Sequence, residues 1–292
     1  MIAPPNEHFD TPQTPAPRAA APVPEAVQHL LTQVVAVLEK GDREEAVRQF
    51  LQGASHGLLR DDAPLTQWLT QVAGKDRAAR VIEALAVHPC FYCQHGYALC
   101  EVCGGSRRST LGGVCEQCLG LGQSFCDFCN GSGWAAIDFV PVGLRRAVVL
   151  ARVRLAIAKT RTLLDQPLPA ADSQDLQQAG HASAALLAAL NRSMGVLENA
   201  LVALKESIPA RLVTPETTAK VAEACARAAP LLDARMRQVL HVMAQVASRQ
   251  GLNASTDAAR EDARRAGAFY ERLAQDSFAQ TKLEHPFIHR LK

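Results

Sequence analysis

Apolar residues recur every three to four positions through most of this chain, the period of one face of an α-helix. Val27, Leu30, Leu31, Val34, Val35 and Leu38 share one broad face. They predict a helix that opens at Pro24 or Glu25 and stops at Gly41. Asp42 is placed to cap a second helix carrying Ala46, Val47, Phe50 and Leu51. Asp62 precedes a third around Leu65, Trp68, Leu69 and Val72, stopped by Gly74, and a fourth over 76–87 turns Ala78, Val81, Ile82 and Leu85 to one side. Short helices with short connections predict a small antiparallel helical domain over 25–87.

The second half is more strongly periodic. After a helix over 145–164, a seam steps by four and three through Leu176, Gly180, Ser183, Leu187, Leu190, Met194, Leu197, Leu201 and Leu204. At 1.5 Å per residue that helix is about 40 Å long. A second seam follows Thr214-Pro215 through Ala222, Cys225, Ala229, Leu232, Met236, Val239, Met243 and Val246, with Pro230 inside it as an expected kink. A last helix runs from Ser255 or Thr256 to about Leu283, with Ala266, Tyr270, Leu273 and Phe278 on its seam. The expectation over 144–283 is an antiparallel bundle or coiled coil, whose seams also offer a route to a homodimer. Residues 1–24, rich in Pro and Ala, read as a disordered or extended tail; 135–143 read as a linker and 284–292 as a second tail.

Residues 88–134 break the helical pattern with Cys and Gly. The chain as a whole, 292 residues with 48% hydrophobic and 5% aromatic content, suits helices better than a large β-sandwich. A formal charge of +2 is small for a protein held to nucleic acid by phosphate contacts. No apolar run reaches the roughly eighteen residues that a membrane span needs. The N-terminus lacks the basic-then-apolar pattern of a secretion signal, so a cytoplasmic location is expected. Thiols stay reduced in the cytosol, and metal binding is therefore the reading for nine cysteines.

Eight of them form four Cys-x-x-Cys knuckles: Cys90/Cys93, Cys100/Cys103, Cys115/Cys118 and Cys126/Cys129. Two knuckles complete a tetrahedral four-cysteine zinc site, so four predict two Zn²⁺ ions. Eleven residues separate Cys103 from Cys115, enough for a hairpin that joins two knuckles. Six between Cys93 and Cys100, and seven between Cys118 and Cys126, are tight for closing a site. The spacing favours nesting: Cys100, Cys103, Cys115 and Cys118 on an inner zinc, Cys90, Cys93, Cys126 and Cys129 on an outer one. Gly120, Gly122, Gly131 and Gly133 supply positive φ where a knuckle turns its N–H groups toward sulfur.

The pattern Cys-x-x-Cys-x-Gly-x-Gly, repeated, resembles the cysteine-rich zinc domain of DnaJ-type chaperones, over residues 90–133 only. That family has four such repeats, two zincs and the nested pairing. The last two repeats match fully. The first, Cys93-Gln94-His95-Gly96, has its glycine one place late, and the second has Arg107 where its last glycine belongs. A J-domain needs His-Pro-Asp, and the nearest match is His88-Pro89-Cys90. No Gly/Phe-rich linker and no β-rich client-binding half follows. The resemblance implies a stand-alone module, similar to small assembly chaperones that keep only this domain.

The fold expected is therefore mostly α: a helical N-terminal domain, a small two-zinc cysteine-rich β-hairpin module and a C-terminal long-helix bundle. The function expected is non-catalytic recognition of a client or partner protein, because closed four-cysteine sites leave no open metal position and no catalytic motif is present. Phe91, Tyr92, Phe125 and Phe128, within or beside the outer knuckles, are the candidate partner-binding residues. Packing against neighbouring helices explains them equally well, and a purely structural zinc hairpin explains the cysteines. The alternative from another class is a nucleic-acid-binding zinc protein. Arg107 and Arg108 face Glu101, Glu116 and Asp127 in the same stretch, and each four-cysteine zinc site adds about two negative charges, which opposes phosphate. A thiol or zinc redox response is a second alternative. His88 and His95 neighbour ligands whose sites are already full, His241 reads as a surface residue, and Cys225 reads as a core thiol.

Overall fold

A computed structural model of the chain describes residues 22–59, 64–110, 112–118, 120–126, 128–129, 131–172 and 174–275. Among them the protein is mostly helical, with eight α-helices, two short 3-10 turns and one two-stranded sheet. The expected tail over residues 1–21, the Asp62 cap, the last helix beyond Gln275 with Phe278 and Leu283, and the tail over 284–292 with His285 and His289 lie outside the described residues.

Four short helices come first: α1 (Glu25–Glu39), α2 (Arg43–Ser55), α3 (Leu65–Ala73) and α4 (Lys75–Ala86). The Asp42 carboxylate accepts the Glu45 N–H at 3.0 Å and starts α2. The cysteine-rich module follows. Then come four longer helices, α5 (Val142–Asp165), α6 (Leu176–Glu206), α7 (Pro215–Leu252) and α8 (Asp257–Gln275). Asp175 caps α6 through the Gln178 N–H, and Thr214 caps α7 with Pro215 at its first position. Helix α7 continues through Pro230 as one element.

Helices α6 and α7 run antiparallel: the Cys225 thiol donates to the Leu197 carbonyl at 3.5 Å, while Gly180 lies against Val246. Helix α8 turns back on α7, so that Gly267 lies against Ser248 and His241 meets Glu271 at 3.1 Å. Periodicity predicts two helical bodies, yet α1–α4 and α5–α8 share one apolar core. It runs from Leu31 and Phe50 through Leu85, Leu144 and Val148 to Leu190, Leu232 and Tyr270. Helix α5 is the shared wall, touching α3 and α4 on one side and α6 and α7 on the other. It opens at Val142, earlier than its apolar pattern predicts. The stretch read as a linker is part of the interior: Ile137–Phe139 forms a 3-10 turn, and Ala135, Ile137 and Val140 are buried.

Candidate metal centres

The module is a long hairpin that leaves α4 and returns to α5. Its ladder begins where Pro89 bridges Trp134 and continues through β1 (Tyr97–Leu99) paired antiparallel with β2 (Gln123–Phe125). It ends where Arg108 bridges Val114. Each knuckle lies between two of these pairings, so the ladder register decides which knuckles meet.

Two groups of four thiols result: Cys90, Cys93, Cys126 and Cys129, and Cys100, Cys103, Cys115 and Cys118. Within each group all sulfurs lie within 4.8 Å of one another. In the outer group Cys90–Cys126 is 4.0 Å and Cys93–Cys129 is 3.7 Å; in the inner group Cys100–Cys115 is 3.9 Å and Cys103–Cys118 is 3.7 Å. A tetrahedron with zinc–sulfur arms of about 2.3 Å has edges of about 3.8 Å. The same distances exclude S–S bonds, and all nine cysteines are free thiols. The two groups are positioned to bind two metal ions, and an all-thiolate tetrahedral set suits Zn²⁺.

The backbone around the thiols follows one rule four times. The N–H of the first cysteine of each knuckle donates to a carbonyl in the opposite knuckle's turn: Cys90 to Gly133, Cys126 to Gly96, Cys100 to Gly122 and Cys115 to Arg107. Three of these same acceptor residues also donate to sulfur: Gly133 to Cys129 at 3.3 Å, Gly96 to Cys93 at 3.3 Å and Gly122 to Cys118 at 3.2 Å. Gly122 and Gly133 do this at φ of 75° and 76°. Glycine is required at Gly96 for space as well, since a Cβ there would lie 2.4 Å from the Gly131 carbonyl oxygen.

The two irregular repeats solve the same problem with other residues. Arg107 holds φ at 68°, the left-handed conformation of the glycine it replaces, and its N–H faces the Cys103 sulfur. His95 holds φ at 55° two residues after Cys93, where the regular repeats have Gly120 and Gly131. These are the two non-glycine residues with positive φ among the described residues. The second repeat thus departs at its last turn in side chain while keeping a positive φ; the first closes one residue sooner, with Gly96 meeting the Cys93 sulfur three residues on where Gly122 and Gly133 do so four residues after their cysteines.

Electrostatics distinguish thiols of the same group. Burial pushes the Cys118 thiol up to about 12 against the pull of the Gly122 N–H. Burial works upward at Cys103 too, but the N–H groups of Arg107 and Gly105 and the thiols of Cys100 and Cys118 outweigh it and bring it down to about 7. A cation at the centre is what makes four adjacent thiolates tolerable, so metal binding releases protons.

The module lies against the long helices rather than standing clear of them. The Tyr97 hydroxyl donates to the Ala188 carbonyl of α6 at 2.7 Å, and the Arg192 guanidinium covers the Tyr97 ring at 5.3 Å. Asn199 of α6 donates to the Cys129 carbonyl at 3.2 Å. At the hairpin tip, Asp262 of α8 accepts the Gly113 N–H at 2.7 Å and pairs with Arg108 at 2.7 Å. At the root, Arg152 of α5 donates to the carbonyls of Ala86 and Ala135 and covers the Trp134 ring. Burial lowers the Arg152 pKa to about 10. No sequence pattern marks Tyr97, Arg152 or Asp262 as the fasteners.

The outer knuckles carry the exposed rings. Tyr92 and Phe128 stack with centroids 4.0 Å apart, and both remain more than half exposed. Phe91 is equally open and meets Phe139 edge-on at 5.3 Å and His88 at 5.1 Å. His88 is half-buried, and desolvation lowers its pKa, with Glu44 opposing. Phe125 joins β2 through its backbone, opposite Tyr97; its side chain lies outside the described residues. His95 is exposed, His241 is an exposed partner of Glu271, and Cys225 is buried in the core.

No known protein family, curated protein or solved structure matches the chain. Among the described residues no helix is long and apolar enough to cross a membrane.

Proposed function

We propose that this chain is a non-catalytic, zinc-stabilised recognition protein, an assembly or chaperone-like factor that binds a partner protein through its outer metal knuckles. The observation that carries the reading is the Tyr92–Phe128 stack, held by a cysteine cage and left more than half open to solvent. Rings fixed on a rigid frame lose little entropy on binding, and they are the commonest anchors of protein interfaces. Phe91 extends the same surface. Four knuckles in nested pairs, with a turn residue at positive φ in each, support the likeness to the DnaJ-type cysteine-rich domain. An enzyme is disfavoured because four sulfurs fill a tetrahedral zinc and leave no position for water or substrate. Eight reduced thiols suit a reducing compartment, in keeping with a cytoplasmic location.

The test is affinity capture of the intact protein with identification of bound partners, beside Tyr92→Ala/Phe128→Ala. The variant is expected to keep both zinc equivalents and its helical circular dichroism while losing its partners. Retention of every partner overturns the reading. Partners released by nuclease would move the assignment to nucleic acid.

A further inference from the structure

Beside the aromatic surface, between α2, the Cys90 knuckle and the start of α5, lies an open groove of about 840 Å³. That volume lies within the range of ligand-binding clefts. Its apolar lining comes from Leu51, Leu59 and Val140, and the Phe91–Phe139 pair forms one edge.

The charge around this lining is unbalanced. Asp42 caps α2, Glu44 and Glu45 lie in its first turn, and Asp138 comes from the turn before α5. Two arginines line the groove as well, and both are already engaged. Arg48 pairs with Glu45. Arg145 pairs with Asp138 at 3.2 Å and donates to the carbonyls of Val140 and Ser207. Asp42 accepts the Glu45 N–H, and among the described residues neither Asp42 nor Glu44 forms an ion pair with Lys or Arg, while the His88 ring lines the groove within reach of the Glu44 charge. A helix N-terminus ordinarily attracts anions, but here three carboxylates already crowd it and repel one. The two phenylalanine rings add a negative π surface beside the carboxylates, where a cation is favoured again.

We propose that this groove receives a segment of the partner protein that presents Lys or Arg beside an aliphatic or aromatic side chain. The apolar member fills the space over Leu51 and Val140. The cation sits at Glu44 near the Phe91–Phe139 edge. The proposal rests on the protein-recognition reading above and names the chemistry of its partner.

The experiment is fluorescence anisotropy with the intact, zinc-loaded protein and a short labelled peptide carrying Lys-Phe-Leu-Arg in a Gly/Ser frame. Two comparison peptides carry Glu-Phe-Leu-Asp and Lys-Gly-Ser-Arg. The first peptide should bind best and weaken with added salt. Glu44→Lys should weaken it about tenfold and Glu44→Gln about threefold, as expected for reversing and for removing one rim charge. Phe139→Ala should weaken it several-fold, with zinc content and circular dichroism unchanged in all three variants. Equal binding of the acidic peptide, or unchanged binding by both Glu44 variants, overturns the proposal. If Tyr92→Ala/Phe128→Ala loses its partners while the Glu44 and Phe139 variants hold the peptide as before, recognition by the knuckles stands and the groove falls. If the groove variants lose the peptide while Tyr92→Ala/Phe128→Ala keeps every partner, the knuckle reading falls and the groove stands.

Discussion

The helical part and the cysteine module of this protein have interiors of different kinds. The helices share one main apolar core that reaches from α1 to α8, with a small separate cluster of Ala179, Val242 and Val246 between α6 and α7. The module's two interior clusters consist of cysteines alone. Five of its large apolar side chains, Phe91, Tyr92, Leu99, Val102 and Phe128, are on the outside, while Tyr97, Trp134 and Val114 pack toward the helices. In the first region water expulsion holds the fold. In the second almost nothing is available for that purpose, and metal–sulfur bonding takes its place. The lesson is that the module can leave Phe91, Tyr92 and Phe128 exposed because its cysteine clusters do not depend on burying them.

The contrast is broken most severely by removing the metal. Chelation should unfold residues 88–134, forfeiting apparent binding free energy on the order of 10–16 kcal/mol per site. The eight clustered thiols should then alkylate rapidly, while far-ultraviolet circular dichroism stays largely helical. Cys90→Ser/Cys126→Ser should lose about one zinc equivalent by elemental analysis, with the inner group still loaded. Complete loss of helical signal on chelation would show that the two regions are not independently held.

The converse perturbation belongs to the helical core. Leu190, fully buried in α6, should cost about 2–5 kcal/mol as Leu190→Ala. The main thermal transition should fall, with both zinc equivalents retained in the folded protein below it.

The smallest effect concerns the joint between the regions. Tyr97→Phe removes the hydroxyl bonded to Ala188 and should cost about 0.5–1.5 kcal/mol. It should be read as faster hydrogen exchange in β1 and not in α7. Burial raises the Tyr97 pKa from 10 to about 12, with Arg192 opposing. The folded protein therefore favours the neutral phenol. This contribution is fully present below pH 10 and is lost as the pH climbs from 10 toward 12. Tyr97→Phe should lack that part of the alkaline loss.

What the chain states locally was legible in its order of residues. Cys-x-x-Cys spacing and loop length set which thiols can reach one metal. A period of three to four apolar residues set where helices form, including the long runs of α6 and α7. Pro215, Asp42 and Gly41 marked their ends. The glycine pattern pointed to knuckle turns, and the structure shows that Arg107 and His95 also hold positive φ there without a glycine's signature.

Tertiary packing decided the rest. Only in three dimensions do α1–α4 and α5–α8 become one core with α5 as the shared wall. The same holds for the module, fastened along α6 and α8, and for the groove where α2 faces Phe91. The physical reason is range. Ligand spacing and helical period act within a few residues, whereas the contact that holds the hairpin tip joins Gly113 to Asp262, separated by 149 positions. A lone Asp on an exposed helix looks the same in sequence whether or not a backbone N–H from the far side of the molecule comes to meet it.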